Sequence, residues 1–182
     1  MAGKKIMLVE GKEDEHVLKH LCGNRGVRLD EIKPHEGVEH LLNSLPVRLK
    51  ASEYEDVIGV IVDADVDQIS RWRSIQDRLL NIGYVNVPKV PSPEGTVIDP
   101  PADELLPRVG IWIMPDNRSQ GILEDFLRFL VPEGSRLFEH VQKSISEIPA
   151  EERRFTELAK PKAIVHTWLA WHVSVHRFRV PG

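Results

Sequence analysis

The sequence contains a single cysteine, and this scarcity is the first constraint on what the protein can be. Cys22 has no second cysteine with which to form a disulfide, so the reducing cytoplasm is the expected compartment. A zinc site built from several cysteines is excluded for the same reason. Residues 1–9 are too short for the apolar core of a signal peptide, and no stretch approaches the ~20 apolar residues that cross a membrane. We therefore expect a cytoplasmic protein that does not associate with membranes.

The chain also lacks an excess of positive charge. It has 24 Lys and Arg residues against 28 Asp and Glu residues, a formal net charge of −4, which does not indicate a general nucleic-acid-binding surface. The cations concentrate at the end, because residues 153–182 hold six Lys or Arg side chains and one acid, Glu157. Two interpretations are open: this basic end brings a phosphate backbone to a metal site, or it is an ordinary solvated face.

Apolar residues make up 41% of the chain and charged residues 29%, which excludes disordered and collagen-like proteins. The length of 182 residues suits one domain. We predict a single domain over 1–182, with an α/β core over 1–115 and a helical extension over 116–182. The core includes a proline-rich excursion over 85–108.

Short apolar runs alternate with helical patterns, which predicts β/α units around a mainly parallel central sheet flanked by helices. The runs 6–9, 27–32, 57–62 and 109–114 predict strands. The run 57–62 is nearly all apolar, as expected for a central strand covered on both faces. Within the excursion, 85–90 and 96–98 predict an irregular hairpin.

Apolar residues at helical spacing predict helices over 13–22, from 38 and over 69–82. Gly23 is the expected stop of the first, and Pro46 should interrupt or kink the second. Three further helices are predicted near 122–130, 137–148 and 162–171, and they form the extra C-terminal helices.

Acidic residues follow two of the predicted strands. Glu10 comes after the first strand, and Asp63 and Asp65 come after the central one. Because parallel strands place their carboxyl ends at one edge, these acids can lie close together at the edge where α/β folds bind ligands. Crowded carboxylates repel one another unless a cation lies between them, and hard oxygen ligands select Mg²⁺, Mn²⁺ or Ca²⁺. The three acids therefore predict a divalent-metal site.

Two further acids near this edge have more than one interpretation. Asp14 lies in the first turn after Glu10, where it could serve as a fourth metal ligand or favour the positive end of the helix dipole. Asp67 could be another ligand or the N-cap of the helix that starts at Gln68, and capping is the favoured interpretation.

The segments 8–14 (LVEGKED) and 61–65 (IVDAD) resemble the Toprim domain of topoisomerases, bacterial primases, recombination-mediator proteins and overcoming-lysogenization-defect nucleases. The resemblance covers roughly residues 4–114 and implies a Rossmann-like fold. In that family the first-strand glutamate carries acid/base or metal-binding work, a role that falls to Glu10. The Asp-x-Asp pair binds Mg²⁺ for phosphodiester chemistry, a role that falls to Asp63 and Asp65, and Asp14 matches a common acidic position.

A closer resemblance, to a small prokaryotic Toprim-like family of uncharacterised function, is carried by residues 89–91, 108–117, 121–126 and 162–170. Related nucleases hold a second metal through further acids and use a lysine beside the cleaved phosphate. Asp116, Glu124 and Lys162 are candidates for these roles, although a turn residue, a helix-start acid and a solvated lysine are the favoured alternatives. Residues 172–182 depart from the family pattern.

Together these features predict Mg²⁺- or Mn²⁺-dependent cleavage or transfer of phosphodiesters in DNA or RNA, with Glu10, Asp63 and Asp65 as the catalytic residues. The alternative is an inactive Toprim-fold binding or accessory module that works with a partner. A separate ATPase is one such partner, because the related nucleases carry an ATPase domain and this chain lacks the Gly-x-x-x-x-Gly-Lys-Ser/Thr phosphate loop. The sequence does not indicate an oligomeric state.

Overall fold

The computed structural model describes residues 3–172. They divide into two compact units, the first ending at Leu123 and the second starting at Glu124. Residues 172–182 were predicted to depart from the family pattern, and all of them except His172 lie outside the described residues. The cations Arg177 and Arg179 lie outside them too. Among residues 3–172, no helix combines the length and apolar character needed to cross a bilayer.

The first unit is an α/β structure built on a five-stranded sheet in the order β2-β1-β3-β5-β4. Its elements are β1 (Lys5–Val9), α1 (Lys12–Arg25), β2 (Glu31–Pro34), α2 (Val38–Lys50), β3 (Val57–Asp63), α3 (Gln68–Asn81), β4 (Thr96–Ile98) and β5 (Arg108–Met114). The pairs β1–β2, β1–β3 and β3–β5 are parallel, and only β4 is antiparallel to its neighbour. The predicted mainly parallel sheet with the run 57–62 at its centre is confirmed.

The core of the first unit lies on one face of this sheet. Alternate residues of β3, namely Ile58, Val60 and Val62, are buried there with the apolar stripes of α2 and α3. On the other face Val57 and Ile61 are only half-buried, and α1 buries no residue completely. The expectation that β3 is covered on both faces is therefore met in full on one face and in part on the other.

Two predicted boundaries around α1 and β2 are wrong. Gly23 lies inside α1, and the helix ends instead at Arg25, capped by Gly26, whose φ of 65° is in the left-handed region that favours glycine. Strand β2 starts at Glu31 rather than at residue 27, because Asp30 sets its register. The Asp30 amide donates to the Lys5 carbonyl at 2.8 Å, and the Asp30 carboxylate accepts from the Lys5 amide at 2.7 Å.

Pro46 does not interrupt α2, which continues to Lys50. A proline has no amide hydrogen, so the carbonyl four residues earlier, that of Leu42, loses its helical donor. Arg78 of α3 replaces that donor, with its Nε 2.9 Å from the Leu42 carbonyl oxygen. The helix therefore tolerates the proline because a side chain from the neighbouring helix satisfies the exposed backbone group.

The predicted hairpin between 85–90 and 96–98 is also wrong. Strand β4 pairs with β5, with Thr96 opposite Ile111 and Ile98 opposite Val109. The segment 85–90 lies along α3 instead, where the Pro88 carbonyl accepts hydrogen bonds from Trp72 Nε1 and Gln76 Nε2 at 3.2 and 2.8 Å. These two side-chain donors satisfy the Pro88 carbonyl, which in a hairpin would have needed a donor from a partner strand.

The second unit is helical, as the sequence predicted. Its elements are α4 (Leu123–Arg128), which begins at the unit boundary, α5 (Arg136–Ser146), a 3₁₀ turn (Ala150–Glu152) and α6 (Lys160–His172). The core is formed by Phe138, Val141, Ile145 and Ile164. The ring of Trp168 packs edge-on against that of Phe138, with centroids 5.7 Å apart, so α5 and α6 are joined by an aromatic contact.

Candidate metal centre

The carboxyl ends of β1, β3 and β5 meet at one edge of the sheet. The parallel register places Val9 opposite Ile61 and Asp63 opposite Met114, so the residues that follow β1 and β3 are neighbours. Glu10 and Asp63 are in direct contact: the amide of Asp63 donates to Oε1 of Glu10 at 2.7 Å. The sheet topology thus joins two of the three predicted acids, which are far apart in the sequence.

Asp65, the third acid, is held in place by its backbone. Its φ of 53° lies in the left-handed region, which is unusual for a residue other than glycine. The amides of Asp65 and Gly121 each donate to the other residue's carbonyl at 2.9 Å, a short antiparallel bridge that fixes the turn after β3. The side chain of Asp65 remains 40% exposed, so its carboxylate stays accessible from solvent.

Arg71 joins Asp63 and Asp65 and was not among the residues predicted from the sequence. Its Nε donates to the Asp63 carbonyl at 2.8 Å, and its Nη2 donates to Oδ2 of Asp65 at 2.6 Å. The side chain is only 13% exposed. The sequence held only a partial signal: Arg71 lies one helical turn after the predicted N-cap Asp67, but the direction of α3 after the turn comes from the structure. A long cationic side chain at that position can reach back to the strand end.

The charge balance of this edge is visible in the titration of Glu10. The pKa of the Glu10 carboxyl is raised from its usual 4.5 to about 7, chiefly by burial and to a smaller extent by the nearby charges of Asp65 and Asp14. The hydrogen bond from the Asp63 amide and the positive charge of Arg71 act in the opposite direction. Carboxylates that repel one another in this way suit a divalent cation such as Mg²⁺ or Mn²⁺, because a cation would relieve their repulsion.

Asp14 is placed at the start of α1. Its Oδ2 accepts a hydrogen bond from the Gly11 amide at 3.0 Å, a contact that satisfies a backbone donor at the helix N-terminus. Because its charge also raises the pKa of Glu10, Asp14 is electrostatically coupled to the site. This contact supports the interpretation of Asp14 as a residue that stabilises the start of α1. Its role as a metal ligand stays a prediction.

Asp67 and Asp116 have local structural roles. The Asp67 carboxylate caps α3, accepting from the Ser70 amide at 3.0 Å and from the Ser70 hydroxyl at 2.6 Å, and these bonds hold its pKa below the usual range. Asp116 accepts from the amides of Arg118 and Ser119 at 3.0 and 2.7 Å. These contacts agree with the favoured interpretations, a helix cap for Asp67 and a turn residue for Asp116.

Asn117, which was not among the residues predicted from the sequence, joins the loop after β5 to β5 through its side chain and to α3 through its backbone carbonyl. Asn117 is only 2% exposed and has a φ of 60°. Its Oδ1 accepts from the Ile113 amide at 2.6 Å, and its carbonyl accepts from Gln68 Nε2 at 3.0 Å. The same loop leads to Gly121, which bridges to Asp65, so Asn117 helps to set the backbone that holds the third acid.

Glu124 and Lys162, the other two candidates, belong to the second unit and lie near each other. Glu124 is 4% exposed, and its Oε1 is 3.8 Å from Nζ of Lys162 and 3.6 Å from Nε2 of His166. Lys162 and His166 lie four residues apart on α6, so both can face one acid. Glu124 is therefore a buried carboxylate beside Lys162 and His166 of α6, and its proposed link to a second metal stays a prediction.

The fold and the edge site together define an α/β protein with an acidic centre at the carboxyl edge of a mainly parallel sheet. The chain belongs to the family described as "Protein of unknown function (DUF3226)", whose model matches residues 4–177. No curated protein and no solved structure matches the sequence.

Proposed function

We propose that this protein is a Toprim-like enzyme that binds Mg²⁺ or Mn²⁺ through Glu10, Asp63 and Asp65 and cleaves or transfers phosphodiesters in DNA or RNA. The observation that carries the proposal is the contact between the Glu10 carboxylate and the Asp63 amide at 2.7 Å, with Asp65 two residues further on. This arrangement gathers hard oxygen donors at the ligand-binding edge of the sheet.

Within this proposal the protein supplies metal ligands and holds them in position. Asp63 and Asp65 would hold the cation from one turn, and Glu10 would complete the set from the neighbouring strand. When bound, the cation would activate water and stabilise the negative charge of the phosphoryl transition state. The Asp65–Gly121 bridge and the Asn117 contacts keep the turn rigid, because misplaced ligands lose much of their catalytic effect.

A nuclease assay with purified protein tests the proposal. Labelled single- and double-stranded DNA and RNA are incubated with Mg²⁺, Mn²⁺ or EDTA, and the products are resolved by size. We expect metal-dependent cleavage that falls at least a hundredfold in Asp63→Asn, because the substitution removes a charged ligand. Asp77→Asn, on the exposed side of α3, is the matched control and should keep its activity. Cleavage that survives in Asp63→Asn would contradict the proposal.

One observation favours a second candidate, an accessory module without catalysis. Asp65 already has a protein cation as its partner, since Arg71 Nη2 lies 2.6 Å from its carboxylate. The edge is therefore partly neutralised by the chain itself. A separate ATPase is the partner we would test for such a module, in the cytoplasm that the single cysteine led us to expect.

Measurements of metal binding and of nuclease activity distinguish the enzyme from the accessory module. Failure to cleave any of the four substrates, together with an unchanged melting temperature in Mn²⁺, would favour the accessory module. Co-purification of the module with an ATPase, and stimulation of that ATPase by added protein, would then be the positive result. Cleavage by the isolated protein would favour the enzyme.

A further inference from the structure

The Arg71 side chain makes two contacts at once, and both acceptors belong to the proposed metal site. Its Nε is 2.8 Å from the Asp63 carbonyl oxygen, and its Nη2 is 2.6 Å from Oδ2 of Asp65. The first contact fixes the direction of the guanidinium group, and the second then fixes the Asp65 carboxylate. One planar group thus ties the Asp65 carboxylate to the backbone of Asp63 at the end of β3.

Burial makes this arrangement rigid. The Arg71 side chain is 13% exposed, and α3, which carries it, is anchored at its start by the Asp67 cap and through its length by the buried side chains of Trp72 and Ile75. A guanidinium group offers donors in a fixed fork, whereas the ammonium group of lysine is a point charge on a flexible stem. The two acceptors therefore call for arginine and not merely for a positive charge.

We propose that Arg71 is a positioning residue that holds the Asp65 carboxylate in the orientation needed to bind the divalent cation. The inference rests on the proposed function, because it assumes that Asp65 is a metal ligand. Outer-shell groups that orient ligating carboxylates change metal affinity by about 10- to 100-fold when they are removed. Arg71 does not touch substrate in this inference, and it acts only through Asp65 and Asp63.

The test compares Arg71→Lys with Arg73→Lys, since both substitutions keep the positive charge on α3. Arg73 is exposed and is the matched control. Mn²⁺ dissociation constants are measured by calorimetry and by the loss of the free Mn²⁺ electron paramagnetic resonance signal, so the readout does not depend on activity. We expect Arg71→Lys to weaken Mn²⁺ binding about 10- to 100-fold and Arg73→Lys to leave it within twofold of the wild type.

A third variant separates positioning from general destabilisation. Ile75→Val loosens the core side of the same helix without touching the acids, because Ile75 is fully buried on α3. Its melting temperature should fall while its Mn²⁺ affinity stays unchanged. Equal loss of affinity in Ile75→Val and Arg71→Lys would overturn the positioning role.

The outcomes also distinguish this inference from the proposed function. Wild-type protein that does not bind Mn²⁺ would remove the metal site and the inference with it. Wild-type protein that binds Mn²⁺ while Arg71→Lys binds it equally well would overturn the inference and leave the metal site standing. Tighter binding in Arg71→Lys would also overturn it, because Arg71 would then be a competitor for Asp65.

Discussion

At the scale of single residues, the pKa of Glu10 is set by opposing effects at this edge of the sheet. Burial disfavours its charged form, while the Asp63 amide at 2.7 Å and the charge of Arg71 favour it. Burial is the largest effect, and the pKa is raised to about 7. The folded protein therefore holds a proton on Glu10 more tightly than the unfolded chain does, where the pKa is near 4.5.

This shift predicts a pH dependence of stability. Glu10's contribution to the free energy of unfolding is fully present below pH 4.5 and is lost as the pH rises through about 7, because the folded state then has to bury a charge. Glu10→Gln keeps the position neutral at every pH and retains an oxygen that can accept from the Asp63 amide. Relative to wild type it should gain up to roughly 3 kcal/mol at pH 8 and little at pH 4.

Urea denaturation followed by circular dichroism from pH 4 to 8, without divalent ions, measures this effect. Glu94→Gln, in an exposed turn, is the control, and its free energy of unfolding should change with pH in the same way as that of the wild type. A difference between Glu10→Gln and wild type that stays constant over this pH range would show that the pKa of Glu10 is not raised by folding.

At the scale of elements, the N-cap of α3 matters because it fixes where the helix starts and therefore where Arg71 lies relative to the acids. Asp67 accepts from both the amide and the hydroxyl of Ser70. Replacing an N-cap aspartate with alanine typically costs about 1 kcal/mol. We expect Asp67→Ala to lower the free energy of unfolding by about that amount, and Asp67→Asn, which can still cap, to lower it less. Asp77→Ala, later in the same helix, should have almost no effect in the same denaturation experiment.

The pairing of Pro46 with Arg78 links two helices and can be tested by a double-mutant cycle. Arg78→Met leaves the Leu42 carbonyl without its donor and should cost about 1–3 kcal/mol. In a Pro46→Ala background the new amide can donate to that carbonyl, so the same Arg78→Met change should cost less. Unfolding free energies of the four proteins give the coupling.

The coupling free energy between Pro46 and Arg78 shows whether Arg78 acts mainly through the Leu42 carbonyl. A coupling of about 0.5 kcal/mol or more would match two groups that share one acceptor. Additive effects would mean that Arg78 stabilises α3 mainly through its other contacts, with Ser74 and Asn43. Arg73→Met, exposed on the same helix, controls for the loss of a positive charge.

At the scale of the whole molecule, the sequence predicted the parts that depend on local pattern. The apolar runs of β1, β3 and β5 and the stripes of α2 and α3 appear where expected, because buried strands and amphipathic helices need those patterns. The carboxyl-edge contact of Glu10 with Asp63 followed from strand direction alone. These features could be predicted because each follows from one segment or from one rule of parallel sheets.

The features that were missed depend on contacts between segments distant in the sequence. The start of β2 is set by Asp30 bonding to Lys5, and the continuity of α2 by Arg78 bonding across to Leu42. Arg71 could be placed at the site only once the direction of α3 after the turn was known. In these three cases a side chain satisfies backbone groups elsewhere in the chain, which periodicity does not report.

A bound metal would affect the stability of the whole molecule, and this gives the broadest prediction. A ligand that binds only the folded state stabilises it by about 2.7 kcal/mol at 100 times its dissociation constant. We expect Mn²⁺ at that excess to raise the free energy of unfolding of the wild type by about this amount. Asp63→Asn and Asp65→Asn should lose most of the gain, because each removes a charged ligand at the sheet edge, whereas Asp77→Asn should keep it. Thermal melts with Mn²⁺, Ca²⁺ or EDTA provide the measurement. A gain that persists in both site variants would place the bound ion elsewhere on the protein.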